Sequence, residues 1–287
     1  MFANADRTGD FMQTVTVAGN EMLKFFRSRK FLMFGALVVA LLALTTLLPY
    51  AIGSGISGSA GDVFSNYIGY SSFIVLLGAT LFASYTIVSE FEERTALVLF
   101  TRPIRRSTIF LGKFAACFVL TAAVMVVYYM VAVAVAFAVT GDLVTSFLPS
   151  LAMCLAYVFA TTGVAMLISS VMSRGGASAV MTFITILLLV SVVSSVISVA
   201  GTDPWFMLDS ASNAISNSVP EYVSGSNEMM GEIGSGLGVS MDGALVEPAD
   251  CLRSGAVMLV WGAATLMLSY LAFSRTVSYT HLRAHET

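Results

Sequence analysis

Charged residues are scarce in this chain, and histidine is almost missing from it. Only 11% of the 287 residues are Asp, Glu, Lys or Arg, whereas 57% are hydrophobic. Both histidines, His281 and His285, lie close to the C-terminus. The preceding part of the chain therefore lacks the residue that proteins use most often as a metal ligand or as a general base near neutral pH.

Sequence motifs for catalysis and nucleotide binding are also missing. No zinc-protease, Cys-x-x-Cys or Gly-x-Ser-x-Gly pattern occurs. The nearest approach to a P-loop, at Gly112-Lys113, has Ser107 in place of the first glycine and Phe114 in place of Ser or Thr. Three cysteines, two of them in apolar runs, give no disulfide framework. We expect no catalytic residue, cofactor or metal in this chain.

Long apolar runs dominate what is present, and the mean hydropathy is +0.87. Six runs approach the length of about 20 residues that an α-helix needs to cross a bilayer. They are Phe31–Leu48, Tyr67–Val88, Phe114–Val139, Ser150–Val171, Ala177–Ala200 and Ser254–Phe273. The sequence therefore predicts an all-α, polytopic membrane protein with six transmembrane helices and both termini on one side. No acidic or basic residue falls inside these runs, so neither a proton relay nor a charge-paired carrier site is visible.

Lysine and arginine collect on one side of the predicted spans. They precede the first run, occupy the segment between the second and third, and follow the sixth, whereas the opposite side carries only Arg253 and many acidic residues. Because basic loops stay in the cytoplasm, we expect both termini and segment 89–113 to be cytoplasmic. The net charge of −3 is then the sum of a basic inner and an acidic outer face, and it indicates no nucleic-acid partner.

Three further segments lie outside the apolar runs. Apolar positions at helical spacing over Phe11–Phe26 predict an amphipathic helix in the cytoplasmic interface, and the alternative is a disordered leader. Gly201–Arg253 is predicted to be a long outer loop between spans five and six. It contains a predicted short helix over Trp205–Ile215 and a mobile Gly/Ser-rich part over Ser224–Asp242. Gly53–Asn66 is predicted to be a short loop.

The last residues resemble a translated sequencing adapter. Val277–Thr287 matches the peptide that one reading frame of a widely used transposase sequencing adapter encodes. We therefore expect one transmembrane domain over residues 1–276 and a non-native tail over 277–287.

Span five carries a group of serines. Ser191, Ser195 and Ser198 share one face of a helix. They are candidates either for the polar lining of a transport path or for a face where helices pack closely and exchange hydrogen bonds.

The most informative segment is the charged one from Ser89 to Lys113. A charge at the bilayer centre costs roughly 2.5–3.5 kcal/mol on insertion scales. The carboxylates and cations of this segment, Glu90 among them, therefore indicate a loop in water. There the loop is available to a soluble partner. Pro103 disfavours helical geometry at Arg102, and Ser107 is able to cap a new helix. The pattern predicts a helix, a break and a second helix.

The same segment contains a series of short motifs. An acidic cluster is followed by a threonine with an apolar block, by Thr-Arg-Pro-x-x-Arg and by Ile-x-Leu-Gly-Lys. This order resembles permease subunits of the type-2 ATP-binding-cassette (ABC) transporter family, over residues 11–276. The residues that carry the match are Glu90, Glu93, Thr95, Thr101, Arg102, Pro103, Arg106, Ile109, Leu111, Gly112 and Lys113. Arg94 departs from the pattern, because many members have glycine there.

The resemblance implies a permease subunit of an ATP-driven exporter, multi-pass in a prokaryotic cell membrane. A second permease copy or paralogue completes the translocation path in that family. Separate ATPase subunits, which hold ATP and magnesium, dock there on a coupling helix that corresponds to Glu90–Phe100. The coupling residues that the resemblance implies are Glu90, Glu92, Glu93, Arg94, Thr95, Arg102, Pro103, Arg106 and Lys113.

Two alternatives from other classes remain open. One is a non-transporting membrane scaffold or sensor whose charged segment binds a regulatory protein. The other is a secondary carrier driven by an ion gradient, which charge-free spans and the lack of a visible repeat disfavour.

Overall fold

A computed structural model describes residues 2–51, 53, 58–92, 105–237 and 245–284 of the protein. Within these ranges no strand occurs, and six helical segments are long and apolar enough to cross a membrane. The spans are Arg29–Pro49, Ala60–Glu90, Arg106–Thr140, Phe147–Val171, Gly175–Val199 and Cys251–Arg275, numbered 1 to 6 in chain order. The predicted all-α fold with six membrane-spanning helices is confirmed.

A long helix precedes span 1. It covers Phe2–Arg27, so the helix predicted over Phe11–Phe26 is present and longer than expected, while its place in a membrane interface stays a prediction. Ser28 separates it from the helix Arg29–Ala51. The Ser28 hydroxyl donates to the carbonyl of Phe25 at 2.7 Å and accepts from the amide of Phe31 at 3.3 Å. This joint turns the N-terminal helix away from span 1 and lays it against the start of span 3.

Span 2 begins earlier than its apolar run. A helix over Ala60–Ile68 replaces the second half of the loop predicted at Gly53–Asn66, which is a correction. Ser59 and Asp62 form a reciprocal capping box at its start. The span continues as Ser71–Gly78, a π-helical turn over Ala79–Ala83, and the short helices Ser84–Thr86 and Val88–Glu92. Counting apolar residues missed the amphipathic first helix, which buries Val63 and Phe64.

Span 3 is one helix over Arg106–Thr140 that ends at Gly141, whose φ of 78° suits glycine. Arg105, and not the predicted Ser107, occupies the position before its first turn. Span 4 is the helix Phe147–Val171. Span 5 comprises Gly175–Ile184, a π-helical turn over Thr185–Leu189, and Val190–Val199; the helix of span 6 covers Cys251–Ala284.

The segment between spans 5 and 6 is largely helical where it is described. Short helices cover Leu208–Ser212 and Ala214–Asn217, just after Trp205 and Phe206. A longer helix covers Pro220–Leu237, so the prediction of a mobile chain from Ser224 is wrong as far as residue 237. Proline at the first helical position favours this start, since its missing N–H has no partner to lose there.

The bundle is built around spans 2 and 4, which are the most buried, while spans 1 and 5 are the least buried. Span 6 packs closely on span 4 through glycines: a Cβ on Gly163 would lie 3.0 Å from the carbonyl oxygen of Gly262. Contacts define two ends. The basic end holds residues 10–30, 84–92, 105–113, 169–178 and 270–275, and the acidic end holds residues 58–67, 140–150, 200–237 and 245–250.

Candidate coupling site at the basic end

The structure describes four of the nine predicted coupling residues. Glu90 and Glu92 lie in the last helix of span 2, and Arg106 and Lys113 lie in the first turns of span 3. The remaining five fall within 93–104, outside the described residues; these are Glu93, Arg94, Thr95, Arg102 and Pro103. The structure therefore describes the residues on both sides of segment 93–104.

Lys113 is the centre of a buried ion cluster. It is only 2% exposed. Its ammonium group donates to Glu21 Oε1 at 2.8 Å, to Glu90 Oε1 at 2.8 Å and to the carbonyl of Thr86 at 3.3 Å. An ammonium group has three N–H donors, so these three oxygens satisfy it. Because an isolated buried charge is very unfavourable, the pairing holds three chain segments together.

Lys24 borders the cluster on the solvent side. Its Nζ atom lies 3.3 Å from Glu21 Oε1 and 3.8 Å from Glu90 Oε1, and its side chain is 65% exposed. The cluster thus contains two carboxylates and two ammonium groups, of which Glu21, Glu90 and Lys113 are buried and Lys24 is exposed. We call Glu21, Lys24, Glu90 and Lys113 the ion cluster.

The ion cluster corrects the expectation that Glu90 lies in water. Glu90 is 7% exposed and paired inside the protein. Lys113, which the sequence placed just before span three, lies about two turns inside the helix of span 3. Glu21 was not among the predicted site residues. No sequence signal links it to Lys113, 92 positions further on, because the contact depends on how the N-terminal helix folds back.

Gly112 allows the N-terminal helix to approach span 3. A Cβ atom at this position would lie 2.8 Å from Cβ of Val17 and 3.0 Å from the carbonyl oxygen of Thr14. Two turns earlier along the same contact, Arg105 Nη1 lies 2.7 Å from Asp10 Oδ2. The Leu-Gly-Lys motif therefore has a structural explanation: its glycine gives room to the N-terminal helix, and its lysine pairs with that helix.

Spans 4 and 5 hold the end of span 2. The helix breaks at Ile87, and the hydroxyl of Ser169 in span 4 accepts from the amides of Ile87 and Val88, both at 3.1 Å. These groups would otherwise lack partners at the break. Beyond it, Glu92 Oε2 accepts from the backbone amide of Gly175, the first residue of span 5, at 2.9 Å.

Arg106 makes the corresponding contact on the other side of segment 93–104. Its Nη1 atom donates to the carbonyl of Ser274, near the end of span 6, at 3.1 Å. Both ends of the predicted coupling segment are therefore attached to the bundle. The attachments reach the N-terminal helix and spans 3, 4, 5 and 6.

The serines of span 5 do not form one uniform face. Ser191 donates to Asp209 Oδ1 in the short helix Leu208–Ser212 at 3.0 Å, whereas the Ser195 hydroxyl donates to the carbonyl of Ser191 within its own helix at 2.8 Å. Ser195 and Ser198 are exposed, and Ser194 beside them is buried with no hydrogen-bond partner for its hydroxyl within the described structure. Whether this surface lines a path or packs on another helix stays a prediction.

The described part of the chain offers no group of three or more His, Cys, Asp and Glu side chains placed to hold a metal ion. The described contacts of the basic end are ion pairs, hydrogen bonds and helix packing. Comparison with curated proteins finds no match for the chain. A family model described as "ABC-2 family transporter protein" matches residues 19–191, which include spans 1 to 4, segment 93–104 and the ion cluster. The chain belongs to the ABC-2 transporter family of membrane proteins.

Proposed function

We propose that this chain is the permease subunit of an ATP-driven exporter and that a separate cassette ATPase docks on segment 93–104. The observation that supports the proposal is the attachment of both ends of this segment to the bundle. Glu90 and Glu92 anchor it on one side, and Arg105 and Arg106 anchor it on the other. A force on the docked segment therefore reaches five helices without passing through a free linker.

The proposed mechanism follows from these attachments. The basic end faces the cytoplasm, in keeping with the distribution of Lys and Arg. ATP and magnesium bind to the ATPase pair, whose closure displaces the docked segments. Because the ion cluster joins span 2, span 3 and the N-terminal helix, these three move together. Charged residues such as Glu93 and Arg94 select the partner and set its orientation more than they add affinity.

A second permease copy completes the path in this proposal, and span 5 is where it packs. This span is among the least buried in the bundle, and it exposes Val192, Val196 and the polar Ser195 side by side. A Ser195→Cys variant should form a covalent dimer on oxidation in the membrane. Leu268→Cys, on an exposed part of span 6, should not, and the reverse result would contradict this interface.

The docking proposal is tested by co-purification. The tagged chain is isolated from its native membrane, and ATPases with Walker A and signature motifs are sought among the proteins that come with it. Exchanging the charges in Glu93→Lys/Arg94→Glu should abolish recovery of the ATPase, because the reversed charges would meet like charges at a cost of several kcal/mol. The matched control is Glu228→Lys/Arg253→Glu at the acidic end, which also leaves the net charge unchanged and should retain the ATPase.

Three outcomes would contradict the proposal. Normal recovery of the ATPase with the Glu93→Lys/Arg94→Glu variant would remove the segment from the docking surface. Transport by the purified chain in vesicles under an ion gradient, without any ATPase, would favour a secondary carrier. Recovery of a regulatory protein and no ATPase with the wild-type chain would favour a scaffold or sensor.

A further inference from the structure

An aspartate from the segment between spans 5 and 6 contacts the side of span 5. Asp209 lies in the short helix Leu208–Ser212, which packs on spans 4, 5 and 6. Its Oδ1 atom accepts from the hydroxyl of Ser191 at 3.0 Å. Ser191 precedes the last residue of span 5, Val199, by eight positions, which corresponds to about 12 Å along a helix. The carboxylate therefore lies beside the span, well inside its end.

This carboxylate has no cation beside it in the described structure. Asp209 makes no ion pair with a described residue, and its Oδ2 atom accepts no hydrogen bond from one. The cation that the sequence provides at the acidic end, Arg253, lies against Asp203 and the ring of Trp205. Asp209 is also partly buried, and a charge that is removed from water without a partner is unfavourable. Ionisable side chains at membrane depth commonly mark the path of a ligand or an ion.

A second unsatisfied polar group lies next to this contact. Ser194 is 5% exposed, and its hydroxyl has no hydrogen-bond partner within the described structure. It follows Ser191 by three positions, so the two side chains lie on the same side of span 5. Leaving a buried hydroxyl without a partner is unfavourable. A bound group that forms hydrogen bonds is therefore favoured at this place.

The helix surface next to these polar groups is apolar. Leu187 and Leu188, about one turn before Ser191, are 38% and 53% exposed. A ligand that matches the whole surface has a cationic group for the carboxylate and an apolar part for span 5. An ammonium group suits the polar part, because its three N–H donors can reach both carboxylate and hydroxyl oxygens.

We propose that Asp209 and Ser194 bind the ammonium group of an amphiphilic cargo, whose apolar part lies along span 5. This inference names the class of cargo and rests on the proposed transport function. The carboxylate enters the bundle from a connecting segment, which is why the charge-free apolar runs of the sequence gave no sign of it.

Binding of a fluorescent amine to the purified full-length chain in lipid nanodiscs tests the proposal, and no ATPase is needed. The probe is dansylcadaverine, which joins an apolar aromatic group to a primary ammonium group. Its N-acetyl derivative keeps the apolar part and lacks the charge. After subtraction of binding to empty nanodiscs, we expect the wild-type chain to bind dansylcadaverine at least about tenfold more tightly than the derivative, since a hydrogen bond to a charged group contributes about that factor.

Two variants locate the site. Asp209→Asn keeps an oxygen that can accept from Ser191 and removes the charge. It should weaken dansylcadaverine binding about tenfold or more and leave binding of the acetylated derivative unchanged. Ser194→Ala should weaken dansylcadaverine binding about fivefold, because it removes one neutral hydrogen bond. The matched control Asp142→Asn removes an exposed carboxylate in the turn between spans 3 and 4 and should change neither affinity.

Equal affinity of the wild-type chain for the two ligands would overturn the proposal without any variant. Equal losses in Asp209→Asn and Asp142→Asn would show attraction by the general negative charge of the acidic end instead. Unchanged affinity in Asp209→Asn or in Ser194→Ala would show that the side chain only holds the loop against the bundle. A chain that recovers its ATPase but does not prefer the ammonium probe would keep the proposed function and lose this inference.

Discussion

Lys113 illustrates how a single charge organises the basic end. It lies in a largely apolar helix, and its ammonium group is removed from water. Desolvation of such a group costs several kcal/mol, which only good geometry and full hydrogen bonding offset. The ion cluster meets both conditions. We expect the ion cluster to favour this position of the N-terminal helix over others, because moving the helix away would leave Lys113 without the Glu21 carboxylate.

Removal of the central cation should be strongly destabilising. In Lys113→Met the carboxylates of Glu21 and Glu90 lose their buried partner, and we expect a loss of about 3–5 kcal/mol in unfolding free energy. Denaturant titration of the purified chain in detergent measures it. The matched control Arg174→Met removes an exposed cation and should change stability by less than about 0.5 kcal/mol.

A compensated variant distinguishes charge pairing from packing. Glu21→Gln/Glu90→Gln/Lys113→Met contains no unpaired buried charge at these three positions and should recover much of the loss. If Lys113→Met alone unfolds at the wild-type denaturant midpoint, the ion cluster does not hold the three segments together.

Gly112 should be intolerant of a side chain. The Cβ of Gly112→Ala would meet backbone and Cβ atoms of the N-terminal helix, which cannot rotate away, so we expect a loss of about 1–3 kcal/mol. Hydrogen exchange over residues 10–27 should speed up at the same time. Gly19→Ala is the control, and we expect it to raise the stability of the chain. Nothing lies within 4 Å of a Cβ there, and alanine in a helix should be more stable than glycine by up to about 1 kcal/mol. Loss of stability in both variants would contradict the proposed close contact.

At the scale of elements, the length of span 3 explains how its first turns contact the N-terminal helix outside the hydrocarbon core. Its helix has 35 residues and is therefore about 52 Å long, whereas the hydrocarbon core of a bilayer is about 30 Å thick. The excess allows its first turns to extend beyond the hydrocarbon. There they provide a rigid surface for the N-terminal helix, and Arg105 and Lys113 fix that helix at two points.

Asn227 holds the chain at Val246 against the helix Pro220–Leu237. Its amide accepts from the Val246 amide at 2.7 Å and donates to the Val246 carbonyl at 3.0 Å. In Asn227→Ala we expect the amide of Val246 to exchange at least about fivefold faster, because each such hydrogen bond contributes about 1 kcal/mol. Hydrogen exchange with mass spectrometry measures this. Ser226→Ala changes the adjacent side chain and should leave the exchange rate unchanged. Equal exchange rates of the Val246 amide in the wild type and in Asn227→Ala would show that the hydrogen bonds between Asn227 and Val246 are absent in solution.

At the scale of the whole molecule, the two ends differ in charge. The acidic end carries the helices of the loop between spans 5 and 6, with Arg253 close to Trp205 and Asp203. The basic end carries the ion cluster, and Arg105 and Arg106 follow segment 93–104 there. If Lys and Arg decide the orientation, the basic end is cytoplasmic.

Cysteine labelling in intact cells tests this orientation. In a Cys251→Ala background, Ser224→Cys at the acidic end should react with a membrane-impermeant maleimide, and Ser173→Cys at the basic end should not. Both positions are exposed in the protein, so the difference reports the side of the membrane. After permeabilisation both should react. Labelling of Ser173→Cys alone in intact cells would invert the assignment.

Much of the architecture could be predicted because it depends on local composition. The apolar runs of span length predicted the number of membrane-spanning helices, since a helix is the structure that satisfies every backbone group inside a bilayer. Two helices that lie mostly outside these runs were not predicted. The helix Ala60–Ile68 is polar enough to resemble a loop, and the helix Pro220–Leu237 contains glycines and serines that are typical of irregular chain. Contacts with other helices, which composition does not encode, decide both.

The sequence by itself determined the helical membrane class, the six spans, the charge difference between the two ends and the motifs of the family. Only the tertiary structure decided that Glu90 and Lys113 are buried partners and that Glu21 is the third member. It also decided that Gly112 gives room to the N-terminal helix and that Ser191 donates a hydrogen bond to Asp209. The reason is physical: burial and pairing depend on which segments meet in space, and these segments lie up to 92 positions apart in the chain.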